Sequence, residues 1–134
     1  MSLSELYWFI FFDEFISSLL LPLNERYVLS TTLILNEEIN ILYSYFTAFL
    51  GAIAGAIMNF LLATMIINGF NLKLKVDRKI KITVICSLML LPLNYFGPVC
   101  SSFAATIRLK FRLYLVVICV IYLTYFLTLF LVQI

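Results

Sequence analysis

The sequence predicts an all-α integral membrane protein built as an inverted repeat, each half a re-entrant helical hairpin followed by a transmembrane helix. Three observations predict it. Hydrophobic residues fill 64% of the 134 positions and charged residues only 12%, against roughly 45–50% and 25% in an ordinary globular domain. The pentapeptide LLPLN occurs twice, at residues 20–24 and 90–94, each time inside an apolar stretch. The charges divide sharply by sign between the two halves. A chain this short has no soluble core large enough to hide so much apolar surface. No stretch is polar enough for an extramembrane domain, so the work of the chain is expected in or at the bilayer.

Residues 1–38 read as the first broken hairpin. Positions 6–21 are apolar except for Asp13, Glu14, Ser17 and Ser18. Pro22 ends or kinks that helix, because it lacks an N–H and restricts the residue before it. The segment is not read as a secretory signal: it has no basic n-region, and Asp13-Glu14 interrupt the apolar run. Residues 39–72 read as a transmembrane helix, since 41–70 carry no charge and roughly 20 residues suffice to cross a bilayer. Residues 73–81 form a basic loop. Residues 82–107 are apolar but interrupted by Pro92, Gly97 and Pro98, and read as the second broken hairpin. A second basic cluster at 108–112 precedes an uncharged transmembrane helix at 113–134.

The charge division fixes the expected topology. Residues 1–72 hold six acids and one base, net −5, and residues 73–134 hold eight bases and one acid, net +7. Basic clusters face the cytoplasm, so the segment between 73–81 and 108–112 must enter the membrane and turn back. Pro92 with Gly97-Pro98 supplies that turn. The first proline-broken segment has only acids at its outer ends, Glu5 and Glu37-Glu38, and so is expected to enter from the opposite face. Two broken hairpins of opposite orientation, each followed by a spanning helix, form an inverted-topology repeat, whose interrupted segments mark a transporter's substrate site.

Ionisable residues at membrane depth are functional candidates by default. Glu25 and Arg26 follow the first proline directly. Roles as a proton-exchanging acid and a bidentate phosphate grip stand against a shallow hairpin tip where both reach headgroups. For Asp13 and Glu14 there are two readings. Either the helix is buried, with at least one acid neutral or paired and Arg26 the candidate partner, or it lies at the interface with Tyr7 and Trp8 in the aromatic belt and the acids facing water. The aromatic pair favours the interfacial reading. Asn24 and Asn94 hold equivalent places in the two copies. They suit backbone groups freed at the breaks and, as a second use, the polar atoms of a ligand. Ala48, Gly51, Ala52, Gly55 and Ala56 form a small-residue stripe for close helix packing, within the chain or in a dimer, and Asn59 extends it. Arg108, Lys110 and Arg112, with the cations of 73–81, read as topology signals and anionic-lipid contacts. Arg108, nearest the second hairpin, is also a candidate phosphate grip.

The chain resembles the DedA superfamily, also called SNARE-associated Golgi or VTT-domain proteins, and within it the short YqaA-like branch. The resemblance rests on FISSLLLPLN at 15–24, Val28-Leu29, TAFLGAIAG at 47–55, Asn59, the basic link, SLMLLP at 87–92 and the final apolar helix. It covers roughly 15–132 in order. It implies two facing re-entrant hairpins and movement of polyprenyl-phosphate carriers or phospholipids, with proton coupling through intramembrane acids and arginines in some members. Glu25 matches, within a residue, the acid that the family places after its first proline. After the second proline the family carries another charge, whereas Leu93-Asn94-Tyr95-Phe96 is neutral here, and the last helix lacks the arginine that relatives place in it.

Other classes have little support. Histidine is absent, which removes the commonest general base and metal ligand, and neither HExxH nor GxSxG occurs. Cys86, Cys100 and Cys119 lack metal-ligand spacing and read as buried small hydrophobes. No enzyme activity, metal or cofactor is expected. Two short basic clusters beside apolar segments do not form a nucleic-acid footprint. The expected partners are membrane lipids, with a second copy or another membrane protein on the small-residue face. The expected function is transport or scrambling of a lipid headgroup in a bacterial inner membrane. The alternatives are a non-transporting assembly or quality-control factor, or a reduced family member.

Overall fold

Leu6, Ile10, Asp13, Glu14 and Ser17 recur at three- and four-residue spacing and make the inward face of helix α1 (Leu3–Ser17). A computed structural model describes residues 3–19, 29, 39–70, 77–90 and 97–133. Pro22, Asn24, Glu25, Arg26, Pro92 and Asn94 lie outside the described residues. Among the described residues, four further helices have assigned bounds: α2 (Ile41–Gly69), α3 (Arg78–Ser87) with a 3-10 turn at Leu88–Leu90, α4 (Gly97–Thr106) and α5 (Phe111–Gln133). Among the described residues every regular element is helical. Two helices, α2 and α5, are long and apolar enough to cross a membrane.

Helix α2 starts at Asn40, whose side-chain oxygen accepts from the Leu42 and Tyr43 N–H groups at 3.0 and 3.4 Å. That capping satisfies donors the helix cannot satisfy itself. Its buried stripe holds the small residues Ser44, Ala48, Gly51, Ala52, Gly55, Ala56 and Ala63 together with Asn59, and large apolar side chains such as Phe46, Met58 and Met65 point outward. Helix α1 lies on Gly51 and Gly55. A methyl group at Gly51 would run into the Phe11 carbonyl oxygen, and one at Gly55 would meet Ser18 Cβ at 2.6 Å and the Phe15 carbonyl oxygen at 2.7 Å. The two backbones therefore touch, an approach only glycine permits.

Helix directions follow from the paired residues. Tyr7 meets Tyr43 and the Asn40 N–H, Phe11 and Glu14 meet Gly51, and Ser18 meets Gly55 and Asn59, so α1 and α2 are parallel. Tyr45 packs on Phe130, Phe49 on Phe126 and Phe60 on Phe111, so α2 and α5 are antiparallel. Helix α4 packs on the adjoining flank of α2 through Ser101, Ala104 and Ala105, and returns into α5 through a four-residue corner. The corner is a Schellman turn: Leu109 N–H donates to Ala104 O at 3.1 Å and Arg108 N–H to Ala105 O at 2.8 Å. It needs a left-handed residue, and Arg108 takes that place with φ 52°. Ile107 and Leu109 are buried beneath it.

Three expectations are corrected. Asp13 and Glu14 are 7% and 2% exposed, so both are buried and do not face water, and Glu14 lies against Gly51 of α2. The outward face of α1 is Trp8, Phe9, Phe12 and Ile16. The basic loop expected at 73–81 gives way to helix from Arg78 onward, with Arg78, Lys79 and Lys81 all exposed on α3. Exposed side chains in that first turn keep their hydration, so three cations meet little desolvation cost there. Cys86, expected inside, is exposed, whereas Cys100 is buried and Cys119 half-buried. Gly97 and Pro98 open α4, a first-turn placement that proline tolerates.

Gly55→Ala is expected to lower stability by about 1–3 kcal/mol, the range for overpacking a filled contact. Gly69→Ala, whose added methyl meets nothing within 4 Å, is expected to be harmless. Thermal unfolding in detergent, followed by helical circular dichroism, separates the two.

Candidate functional site

The inward face of α1 and the small-residue face of α2 meet along a buried polar seam. Glu14 and Ser18 supply one wall, and Gly51, Gly55 and Asn59 the other, with Asp13 and Ser17 buried on the adjoining side of α1. Because Gly51 has no side chain, Glu14 Cβ lies 3.2 Å from where a Cβ would stand at Gly51. The missing side chain thus makes room for the carboxylate stem. Asn59 is fully buried, and its side-chain amide donates to the Ser18 carbonyl. That carbonyl lies just past the end of α1, where backbone acceptors lose their helical partners. Among the described residues, Asn59 Oδ1, Ser17 Oγ and Ser18 Oγ are buried without a hydrogen-bond partner. Along α2, Gly51 and Asn59 stand roughly 16 and 28 Å from Asn40 at 1.5 Å per residue, so the seam occupies the middle of the long helix.

A second polar cluster ties the other flank. The Tyr114 hydroxyl, on fully buried Tyr114, donates to the Ala56 carbonyl at 2.9 Å and pairs with Ser101 Oγ at 3.0 Å. Phe60 stacks on the same ring at 4.3 Å. One hydroxyl thus joins α2, α4 and α5.

Two surface depressions lie among the described residues. An aromatic groove of about 360 Å³ lies between α2 and α5 near Tyr45, Phe49, Phe126 and Phe130. A notch of about 310 Å³ lies at the opposite end, lined by Phe60, Thr64, Asn68, Arg108 and Phe111 among others.

Of the residues singled out from the sequence, Glu14, Gly51, Gly55 and Asn59 come together in the seam, and Asp13 is buried beside Glu14. Arg108 stands apart at the notch. Sequence reasoning missed Ser17, Ser18, Ser101, Tyr114, Thr64 and Asn68. Ser17 carried a readable signal, since it repeats Asp13 and Glu14 at helical spacing. Tyr114 carried none, because its role depends on a carbonyl 58 residues away.

Asn59→Ala is expected to destabilise by about 1–3 kcal/mol, because it strips the partner from a buried carbonyl. Tyr114→Phe is expected to lose about 0.5–1.5 kcal/mol. Denaturation in mixed micelles reads both.

No protein-family model matches the chain, and neither a curated protein nor a solved structure matches it.

Proposed function

We propose that the chain is a small integral membrane protein of the DedA type that moves or scrambles a lipid or polyprenyl-phosphate headgroup between leaflets, in a bacterial inner membrane. The observation that carries this reading is the inverted face of α1. Asp13 and Glu14 lie inside, 7% and 2% exposed, while Trp8 and Phe9 on the outer face are 60% and 59% exposed. In water that arrangement buries two carboxylates and exposes a wall of aromatic rings, a combination folding disfavours twice over. In lipid the same arrangement is favourable on both counts. An acid turned into a bundle at that depth is the usual mark of a conduction or binding path.

The helix directions support the proposed hairpins. With 15 residues, α1 reaches roughly 22 Å, too short for a hydrocarbon layer of about 30 Å. It ends beside Asn59, deep along α2, whereas Asn40 starts α2 back beside Tyr7. The two ends that residues 20–38 join thus stand at opposite ends of α1, as a hairpin returning to its side of entry requires. Helix α4 at ten residues is also shorter than a crossing. The polar groups of the seam, with Glu25 and Arg26 after Pro22, are the proposed headgroup path. The small-residue face offered to a partner in the assembly-factor reading is filled by α1 within the chain, so such a partner would have to dock elsewhere.

Reconstituted in vesicles, the protein is expected to speed the exchange of a fluorescent phospholipid or a labelled polyprenyl phosphate between leaflets. Glu14→Gln is expected to slow it by about tenfold, a barrier change near 1.4 kcal/mol. Rates equal to protein-free vesicles for both lipids would sink transport. Equal rates for wild type and Glu14→Gln would remove the carboxylate from the mechanism. Cysteines placed singly at Glu5 and Arg112, in a background lacking Cys86, Cys100 and Cys119, are expected to label from opposite faces of the membrane.

A further inference from the structure

The two long helices differ in length, and the difference falls at one end. Phe60 stands level with Phe111, where α5 begins. Helix α2 continues for nine more residues to Gly69, roughly 13 Å beyond that level. At the other end Tyr45 and Phe130 pack together, so the overhang is confined to the end that carries Arg108, Lys110 and Arg112. Helix α5, with 23 residues, extends roughly 34 Å and closely matches a hydrocarbon core of about 30 Å. If α5 marks that core, Thr64 and Asn68 stand about 6 and 12 Å outside it, in the headgroup layer.

The notch of about 310 Å³ opens between this overhang and the α4–α5 corner. Its floor is apolar, from Ile67, Ala105 and Leu109, and its rim carries Thr64, Asn68 and Arg108. The Thr64 hydroxyl donates to Phe60 O at 2.7 Å and keeps its acceptor capacity. Arg108 is exposed and holds its position in the left-handed region, where glycine is the favoured residue of this turn. Strained residues at cavity mouths mark functional positions. A guanidinium there presents a planar fork suited to a phosphate.

We propose that this notch binds the phosphate ester of an anionic phospholipid on the basic face of the membrane, with Arg108 gripping the phosphate, Asn68 on the opposite rim, and the apolar floor taking the start of the acyl chains. The inference rests on the membrane reading above but not on transport.

The test is thermal unfolding of the purified full chain in neutral detergent. Short-chain phosphatidylglycerol, phosphatidylcholine and inorganic phosphate are titrated in separate arms. Phosphatidylglycerol is expected to raise the midpoint saturably, phosphatidylcholine and inorganic phosphate far less. Arg108→Gly is expected to match or exceed the wild-type midpoint without lipid, because it relieves the turn, and to lose the phosphatidylglycerol shift. Lys110→Gln and Arg112→Gln are expected to keep most of the shift. A full shift in Arg108→Gly, or none in wild type, overturns the site. A shift with inorganic phosphate equal to that with phosphatidylglycerol overturns the lipid assignment. Because no lipid movement is measured, failure here leaves the transport assay to be judged separately.

Discussion

The arrangement depends on how closely two backbones approach. Helix α1 runs along α2 with the Phe11 and Phe15 carbonyls against the positions where Gly51 and Gly55 lack side chains. Between helices in lipid no hydrophobic force is available, because the surrounding tails are as apolar as the side chains. Association must come from dispersion contacts and interhelical hydrogen bonds. The two glycines supply the first, and the amide of Asn59 on the Ser18 carbonyl supplies the second. Once that register is set, the rest of the seam follows. Glu14 falls at the height of Gly51, Ser18 at the height of Gly55, and Tyr7 at the height of Asn40. A bulkier residue at either glycine moves α1 outward and separates the polar groups along with the backbones.

The same face selection runs through α1, α2 and α5. Helix α2 turns its small residues and Asn59 inward, with Tyr45, Phe60 and Ile67, and turns Phe46, Met58 and Met65 outward. Helix α5 buries Tyr114, Ile118, Tyr122 and Phe126 at four-residue intervals and exposes Val116, Val120, Leu123 and Leu127. Helix α1 carries the pattern furthest, since both of its central acids are inside. A carboxylate facing lipid at mid-depth costs about 2.5–3.5 kcal/mol on insertion scales. If the chain lies in a bilayer, the orientation of α1 that buries Asp13 and Glu14 avoids that cost and turns Trp8, Phe9 and Phe12 toward the acyl chains. On the membrane reading the chain obeys the ordinary rule of matching each face to its solvent, with hydrocarbon in the place of water.

Much of this was legible in the residues. The uncharged stretches at 41–70 and 113–134 became α2 and α5 within three residues at each end, because length and apolarity leave few other conformations in which to bury the backbone. The stripe from Ala48 to Asn59 was readable as a packing face, since small residues at that spacing have little other use. The orientation of α1 was not. Its inward face mixes Leu6 and Ile10 with Asp13, Glu14 and Ser17, so periodicity alone does not say whether that face meets water or another helix. Tyr7 and Trp8 pointed to an interface, whereas the decisive fact was the glycine surface waiting on α2. Arg108 was singled out by its charge, but its left-handed turn conformation was hidden, since the residue expected at that position of a helix-ending turn is glycine. The chemistry after Pro22 and Pro92 was the clearest sequence signal, and it lies outside the described residues.

The α4–α5 corner shows why position and charge are separate questions in such a chain. Arg108, Lys110 and Arg112 look interchangeable as a basic cluster, and for topology they are, because orientation depends on their number near the helix ends. The backbone distinguishes them. Arg108 is fixed by two turn hydrogen bonds and by the buried Ile107 and Leu109 on either side, so its Cα has no freedom to drift. Lys110 and Arg112 are exposed at the start of α5, held by that helix, and neither lines the notch. A long cationic side chain loses entropy whenever it is held on a ligand, and a fixed base reduces the number of torsions that must be frozen. The same two notch walls that leave room beside Thr64 and Asn68 therefore also aim one cation, of the three, at that room.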